Sequence, residues 1–476
     1  MAENEPIRLD FGVSSDPGRY GIDAGAMHWN CYVEPVAGGK SQAPLRAADG
    51  LSSFGTVTSG GACRGMIEMG GFVYGVWGTI LAKLSQSGVV TVLGGIPGTA
   101  AVSMAHNDAS PRQLVITADG NKYVVTSDVV TEISDEDLPP PNSATFLNQR
   151  IIYGIDDGRV FFSAVDDATD ISVLDYFTAE GNPDGLVAVF AHMQEVWCFG
   201  RESLEVWRDT GNASAPFRRN EAGVIPKGCI GRQTIASLDI DLFWVGDDQV
   251  VYMARGYQFK AISNFGVQRA ILETTDKSQI EAFTFHMGGH AFYVLSGPTW
   301  TWAYNRTTGA WDPRFSYGEP RWRASKSVTL NNMVIVGDYE ANAAGNAPVY
   351  QMSRSAYDEA GTTMVWRART NPMHAYPNRM CVDRLHLDFV TGVGLNSSNA
   401  HESAPQVGLR WSDDGGFAWS RQLVRSLGAI GKRNTRVVFD GLGMTGRSGR
   451  IWEVEISSPV VRSLQDSAIE GDLIGT

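Results

Sequence analysis

The spacing of apolar runs along the chain predicts a repeated β unit. Each run follows a break of glycine or polar residues, and the runs occupy 71–76, 112–116, 149–154, 194–200, 241–246, 289–294 and 332–337. Their starting points are 41, 37, 45, 47, 48 and 43 residues apart. Short strands that return every ~40 to 50 residues are typical of a β-propeller, in which each unit is a four-stranded blade that needs its neighbours to bury its faces.

Several breaks look like hairpin turns, because a second apolar stretch precedes them. Examples are 64–69 ahead of Gly70 and Gly71, 187–191 ahead of Met193 and Gln194, and 281–286 ahead of Gly288 and Gly289. We expect these hairpins to form the middle of each blade. A set of unrelated antiparallel hairpins is the alternative interpretation, and a count of six blades instead of seven stays open.

The pattern divides this all-β chain into three segments. Residues 1–60 have little periodicity and predict an extended N-terminal arm that makes assembly contacts. Residues 61–355 carry the propeller repeats, with a helical pattern at 267–281 between two of them. Residues 356–476 predict a separate strand-rich, sandwich-like domain, because runs such as 451–456 alternate between apolar and polar residues.

Composition narrows the classes of protein. The five cysteines are odd in number, scattered, and never spaced as a metal-binding pair, so we expect buried thiols instead of disulfides or a zinc site. No stretch approaches the ~20 apolar residues of a membrane span, and the first residues do not resemble a signal peptide, so we expect a soluble chain. The net charge of -13 argues against binding nucleic acid through a basic groove.

One motif predicts a specific turn. Ser412, Asp414, Gly416 and Trp419 fit the pattern Ser-x-Asp-x-Gly-x-x-Trp and resemble the Asp-box of sialidases and other propeller proteins. In that motif the Ser and Asp side chains hold a tight hairpin while the Trp packs beneath it. The predicted role is structural.

Other patterns suggest chemistry only weakly. His286 and His290 have the i, i+4 spacing of a zinc helix, but glycines lie between them. Residues 441–446 spell a dinucleotide fingerprint without a helix to follow it. Paired carboxylates at expected turns could serve a glycosidase in principle, although Asp at hairpin tips more often stabilises the turn. The pairs are Asp156 and Asp157, Asp166 and Asp167, and Asp247 and Asp248. The sequence predicts no catalytic residue, no metal site and no cofactor.

A local excess of positive charge occurs in the last segment, where Asp440 is the one acidic residue between 421 and 450. The cations are Arg421, Arg425, Lys432, Arg433, Arg436, Arg447 and Arg450. They form either a solvated face or a docking surface for an acidic partner or for DNA phosphates.

Several stretches resemble the packaged DNA stabilisation proteins of short-tailed bacteriophages, also called head-completion or tail-nozzle proteins. The stretches are Asn-Cys-Tyr-Val-Glu-Pro at 30–35, Val-Ser-Met-Ala-His-Asn at 102–107, the segment 175–186 with its Ala-Glu-x-x-Pro-Asp-Gly motif, 198–207, 409–416 and 454–460. The likeness spans most of the chain.

This resemblance implies a structural virion protein, with no catalytic residues to carry over. It implies a homohexameric ring in the tail, below the portal and its head-tail adaptor, which extends the DNA channel and helps retain the packaged genome. Expected partners are the adaptor, a needle or plug, tailspike or fibre proteins, and DNA that passes without sequence-specific binding. The resemblance also implies that the protein is assembled into the virion in the host cytoplasm. The alternatives are a propeller glycosidase or depolymerase that acts on surface polysaccharide, and a monomeric interaction platform.

Overall fold

The computed structural model describes residues 6–20, 24–37, 41, 43–179, 181–182, 184–212 and 215–474. In these residues the chain forms seven four-stranded antiparallel sheets and two further sheets that pack face to face. The seven sheets are the blades of a propeller, and the other two form a β-sandwich. The predicted all-β fold, with a propeller and a C-terminal sandwich-like domain, is confirmed.

The blades follow one another along the chain, and each begins with its innermost strand. Blades 1 to 3 are Cys63–Met69, Phe72–Trp77, Ile80–Leu84, Val90–Gly95; Ser103–His106, Gln113–Ala118, Asn121–Thr126, Val129–Glu132; and Ser143–Leu147, Arg150–Gly154, Arg159–Phe162, Tyr176–Thr178. Blades 4 to 6 are Leu186–His192, Glu195–Gly200, Leu204–Asp209, Phe217–Arg219; Ala236–Leu238, Asp241–Val245, Val251–Arg255, Gln258–Ala261; and Glu281–Met287, His290–Ser296, Thr301–Asn305, Ala310–Pro313. Blade 7 is Ala324–Leu330, Met333–Asp338, Ala347–Ser353 and Gly50–Val57.

The breaks in the sequence pattern lie between the first and second strands of a blade, and they are tight hairpin turns in every blade except blade 2, where residues 107–112 form a longer loop. Both turn residues have positive φ in five blades, as at Gly70 and Gly71 (62° and 83°) or Asn331 and Asn332 (46° and 64°). This backbone matches the right-handed twist of the strands it joins, and it favours Gly and Asn. The predicted hairpins therefore exist, but they form the inner pair of strands and not the middle of the blade, because the third and fourth strands both lie outside them.

Apolar side chains fill the space between consecutive blades. Seven buried clusters each combine residues of two neighbouring blades; for example, Phe199 of blade 4 packs against Trp244 of blade 5, with ring centroids 5.9 Å apart. Since a blade buries its two faces only against its neighbours, the propeller needs a closed circle.

The circle is closed by the strand Gly50–Val57, which pairs with Ala347–Ser353 as the outer strand of blade 7. The predicted propeller segment begins at residue 61, so the structure differs from that boundary here. The difference arises because this strand pairs with residues about 300 positions away in the chain, and sequence periodicity does not report such pairing.

The sandwich also takes strands from the N-terminal segment. One sheet contains Cys31–Val33, Leu45–Ala47, Ser463–Ile474, Arg379–Phe389 and Val437–Met444 in that order, with Ile7–Arg8 paired to Ser463–Ile474. The other contains Met27–Trp29, Trp366–Arg369, Ile451–Ile456, Gln406–Ser412 and Leu423–Ser426. The expected N-terminal arm thus supplies strands to both domains. Its residues Leu9, Phe11 and Val33 complete the sandwich core.

Two helices lie outside the strands: Phe265–Glu273, which joins blades 5 and 6, and the short Ala400–Ser403. Single 3-10 turns cover Glu221–Gly223, Arg232–Thr234 and Lys277–Gln279. In the part of the chain with described coordinates, no helix is long and apolar enough to cross a membrane. All five cysteines are free thiols, and burial raises the pKa of Cys63 to about 12 and that of Cys229 to about 11.

Candidate interaction surfaces

The seven cations of the predicted basic face do not form one surface. Arg436 directly precedes the strand Val437–Met444, and Arg447 follows it, so the two lie at opposite ends of the sandwich, about 23 Å apart. Arg425, Lys432, Arg433 and Arg436 lie at or near one end, whereas Arg421, Arg447 and Arg450 lie at the other.

Arg450 is not available to a partner, because its side chain is buried and 2% exposed. Its guanidinium donates to both carboxylate oxygens of Asp413 at 2.8 Å and to the carbonyls of Leu442 and Met444 at 2.7 and 2.8 Å. It also lies over the rings of two tryptophans, 5.1 Å from each centroid. Arg450 therefore holds the loop before its strand against the sandwich. Its side chain is not part of a docking face.

Arg425 is half-buried and has a similar role. Its Nε donates to the carbonyl of Val438 at 2.8 Å. Val437–Met444 is the edge strand of its sheet, so Arg425 and Arg450 together cover three carbonyls that would otherwise be open to pairing.

The remaining cations at the first end are exposed and have no ion pair among the residues that the structure describes. We call this surface the basic end: Lys432, Arg433 and Arg436, together with the exposed apolar side chains Leu395 and Ile430. It is built by two loops that hydrogen-bond to each other, because Gly431 N donates to Gly392 O at 3.1 Å and Thr391 Oγ1 to Arg433 O at 2.7 Å.

The turn at 412–419 is held by the side chains of Ser412 and Asp414. Ser412 Oγ donates to Asp414 Oδ1 at 2.7 Å and accepts from Gly416 N at 2.8 Å, while Asp414 accepts from the backbone of Ala418 at 2.9 Å. These bonds to Ala418, Ser412 and Phe417 lower the pKa of Asp414. Trp419 Nε1 donates to Gly416 O at 3.0 Å. Each of the four motif residues therefore takes part in a hydrogen bond within the turn.

One carboxylate of each pair binds a nearby side chain of the propeller. Asp157 binds Arg159, Asp167 binds Thr169, and Asp248 binds both Lys227 Nζ and Tyr252 Oη at 2.6 Å. No group of three metal-ligating side chains occurs among the described residues. His286 and His290 do not converge, because Met287 pairs with His290 across the hairpin and places His286 on the opposite face of the sheet.

The axis of the propeller is blocked by Arg232. This side chain enters from the segment between blades 4 and 5, and its guanidinium donates to the carbonyls of Ala101 and Asn142 on the far side of the axis. Burial lowers the pKa of Arg232. Arg232 and Gln233 line both a cavity of about 640 Å³ and a second one of about 270 Å³, so the two cavities border the same pair of side chains.

Asn30 joins the propeller to the sandwich. Its side-chain amide donates to the carbonyls of Phe315 and Val365, both at 2.9 Å, and its Oδ1 accepts from Phe315 N at 3.1 Å. Its φ of 54° is one that Asn tolerates better than most residues. Glu359, in the connection between the domains, adds a buried contact by accepting from Trp322 Nε1 at 2.9 Å. Sequence reasoning did not identify either role, because the partners lie far away in the chain.

The segment 175–186 has a structural function within the propeller. Asp184 Oδ2 accepts from Ser203 N at 2.9 Å and from Glu202 N at 2.6 Å, which fixes the turn between two strands of blade 4. Glu205 in turn accepts from Gly181 N and from Trp207 Nε1. Asp184 and Gly181 of the motif are thus both hydrogen-bonded to the segment that contains Glu205. Glu180 and Pro183 of the motif lie outside the described residues.

Solved structures with the same general architecture are remote. The WD40 β-propeller domain of Doa1 has a TM-score of 0.43 and 10% identity, over 64% of this chain and 98% of that one. BamB from Moraxella catarrhalis has a TM-score of 0.39 and 10% identity, over 74% and 98%. PorZ from Porphyromonas gingivalis has a TM-score of 0.38 and 12% identity, over 70% and 44%. The search of curated proteins found no match.

Two family models together cover most of the chain. Residues 24–347 match the model described as bacteriophage P22 Gp10, β-propeller, and residues 365–470 match the model described as bacteriophage P22 Gp10, β-sandwich. The first match alone spans more than half of the sequence. The chain therefore belongs to the bacteriophage P22 Gp10 family of phage stabilisation proteins, which are structural proteins of the virion.

Proposed function

We propose that this chain forms a closed homohexameric ring in the tail of a short-tailed phage, below the portal and the head-tail adaptor. The ring extends the DNA channel and helps retain the packaged DNA. The observation that carries this proposal is the family match over both domains. The proposed neighbours are the adaptor above, a needle or plug, and tailspike or fibre proteins, with assembly in the host cytoplasm.

The blocked propeller axis supports a channel between subunits. Arg232 crosses that axis, so DNA would pass through the centre of a ring of whole molecules and not through one propeller. The net charge of -13 suits a wall along which DNA slides, because tight DNA binding requires cations that neutralise phosphates.

Buried contacts between the domains support a rigid wall. Asn30 and Glu359 connect the sandwich to blades 6 and 7, and the N-terminal segment supplies strands to both domains. In a subunit of this kind, a force on the sandwich reaches the propeller without bending between the two domains.

Mass measurement of the purified chain tests the ring. We expect a species close to six times the chain mass of 51.6 kDa in native mass spectrometry, and ring-shaped particles in electron micrographs. Virions should carry the protein at the tail, as labelled antibodies would show. A chain that stays monomeric at high concentration, with the mature particle lacking it, would contradict the proposal and favour an interaction platform instead.

A further inference from the structure

The outer edge of blades 2 and 3 exposes apolar side chains with an acidic border. Val173 and Leu174, in the long loop before the last strand of blade 3, are 53% and 80% exposed. We call this surface the acidic rim: Val173 and Leu174 bordered by the exposed side chains Glu132, Glu136, Asp137 and Asp170.

Hydrogen bonds hold the acidic rim together as one surface. Ile171 N donates to Asp135 Oδ2 at 3.2 Å, and Val173 N donates to Asp137 Oδ2 at 3.3 Å, so the loop of blade 3 is tied to the acidic connection that follows blade 2. The apolar side chains are thereby presented from an ordered backbone, which lowers the entropy cost of binding.

The cations next to the acidic rim are already occupied. Lys122 Nζ donates to the carbonyls of Asp135 and Leu138, and Arg159 pairs with Asp157 at 2.7 Å. In the described part of the chain, Glu132, Glu136 and Asp170 have no ion pair, so their charge is available to a partner.

We propose that the acidic rim of one subunit binds the basic end of the next subunit, head to tail around the ring. The basic end has the complementary composition: Ile430 is 65% exposed, and Lys432, Arg433 and Arg436 border it. An apolar centre with charges of opposite sign at its edge is the usual composition of a specific interface. This contact rests on the proposed ring, and it names the surfaces that would form it.

The two surfaces lie on different sides of the molecule. The sandwich that carries the basic end packs on blades 6 and 7, whereas the acidic rim belongs to blades 2 and 3, which lie across the circle of seven. One subunit cannot satisfy both surfaces by itself. A contact between two different surfaces of identical chains continues from subunit to subunit, and it closes into a ring when the rotation between neighbours permits.

Charge reversal on each surface tests the contact. One variant carries Glu132→Lys, Glu136→Lys and Asp170→Lys; the other carries Lys432→Glu, Arg433→Glu and Arg436→Glu. Among the residues that the structure describes, none of these side chains has a hydrogen bond or ion pair, so each variant should keep its fold, as circular dichroism and the melting temperature would show. We expect each variant alone to weaken ring assembly at least about tenfold, because like charges then face each other.

Recombination of the two variants gives the decisive result. When they are mixed, the reversed rim of one variant meets the reversed basic end of the other, and the two unreversed surfaces meet at the next contact, so alternating rings should form. A chain that carries all six changes should also assemble. The matched control is Arg421→Glu with Arg447→Glu, which changes exposed cations at the other end of the sandwich and should leave assembly unchanged.

The outcomes separate this contact from the ring itself. Rings that persist in both variants would overturn the contact and leave the ring standing. A wild-type chain that stays monomeric would overturn both. Intact rings of the Lys432, Arg433 and Arg436 variant that have lost affinity for duplex DNA, measured by fluorescence anisotropy, would overturn the contact and assign the basic end to phosphates.

Discussion

Arg447 and Arg450 are three residues apart, yet their surroundings share almost nothing. Arg447 is exposed on the loop, whereas Arg450 is buried and holds Asp413 and two backbone carbonyls. A charged side chain that is removed from water in this way is stabilised only by its complete set of partners. The same residue type therefore contributes to stability at one position and to the surface charge at the other.

The pair offers a direct stability test. We expect Arg450→Ala to lower the free energy of unfolding by about 3 kcal/mol, because the carbonyls of Leu442 and Met444 and the Asp413 carboxylate lose their donor. Arg447→Ala is the matched control and should change it by less than about 0.5 kcal/mol. Guanidinium unfolding followed by tryptophan fluorescence would measure both; equal effects would contradict the assignment.

His28 shows how a buried charge ties the N-terminal segment to the propeller. Its Nδ1 lies 2.9 Å from Asp312 Oδ1 in blade 6, and its Nε2 lies 2.6 Å from the carbonyl of Phe11. Both partners accept hydrogen bonds, so both contacts are hydrogen bonds only when the imidazole carries two protons and is charged. Burial lowers the pKa of His28, but Asp312, the Phe11 carbonyl and Asp10 outweigh it and raise the pKa above the ordinary 6.5.

This arrangement predicts a loss of stability at high pH. A raised pKa in the folded state contributes stability that is fully present below pH 6.5 and is lost as the pH rises through the folded pKa of His28. We expect the free energy of unfolding of the wild type to fall relative to that of His28→Gln over this range. A pH series of urea unfolding curves on both proteins would measure it, and parallel curves would refute it.

At the scale of single elements, the strand Gly50–Val57 has the largest consequence. It comes first in the sequence among the strands of the propeller, and it completes the last blade. Leu51 is fully buried among Trp322, Tyr350 and Met352, which lie in blade 7 or just before its first strand. This strand completes blade 7, and Val57 adds to the apolar cluster between blades 7 and 1.

Two substitutions on this strand test its role in closure. We expect Leu51→Ala to lower the free energy of unfolding by about 3 kcal/mol, through lost burial and the cavity that it leaves. Ser53→Ala, two residues along on the same strand, is exposed and should have little effect. Thermal unfolding by calorimetry would compare them; similar melting temperatures would show that the strand does not stabilise the closed propeller.

At the scale of the whole molecule, the N-terminal segment makes the two domains depend on one another. The sandwich core includes Leu9, Phe11, Cys31, Val33 and Leu45, and blade 7 includes the strand that follows them. Deletion of residues before 60 would therefore remove strands from both domains. The predicted extended arm that serves only assembly contacts does not agree with this pairing.

A fragment experiment tests this dependence. We expect residues 356–476 alone to lack cooperative unfolding, because the sandwich then loses the core residues from the N-terminal segment. It also loses three strands of one sheet, Ile7–Arg8, Cys31–Val33 and Leu45–Ala47, and the strand Met27–Trp29 of the other. Near-ultraviolet circular dichroism and thermal melting would compare the fragment with the full chain. A fragment with a sharp transition at the temperature of the full chain would contradict the prediction.

Features that are set by neighbouring residues could be predicted before the fold was known. The even spacing of apolar runs, the Gly-Gly and Asn-Asn turns, and the alternation at 451–456 predicted the propeller and the sandwich, because strand formation and turn geometry depend on short-range contacts. The turn of Ser412 and Asp414 is local for the same reason.

The tertiary structure alone decided which distant residues meet. Gly50–Val57 belongs to blade 7, and Arg450 is buried although the sequence predicted it on a basic face. The basic residues lie at two ends of the sandwich, and Arg232 crosses the propeller axis. The strand Gly50–Val57 pairs with residues about 300 positions away, and Arg232 binds carbonyls 90 and 131 positions away. Arg450 contacts Asp413, which is 37 positions away. A periodic pattern carries no information about which partner lies opposite.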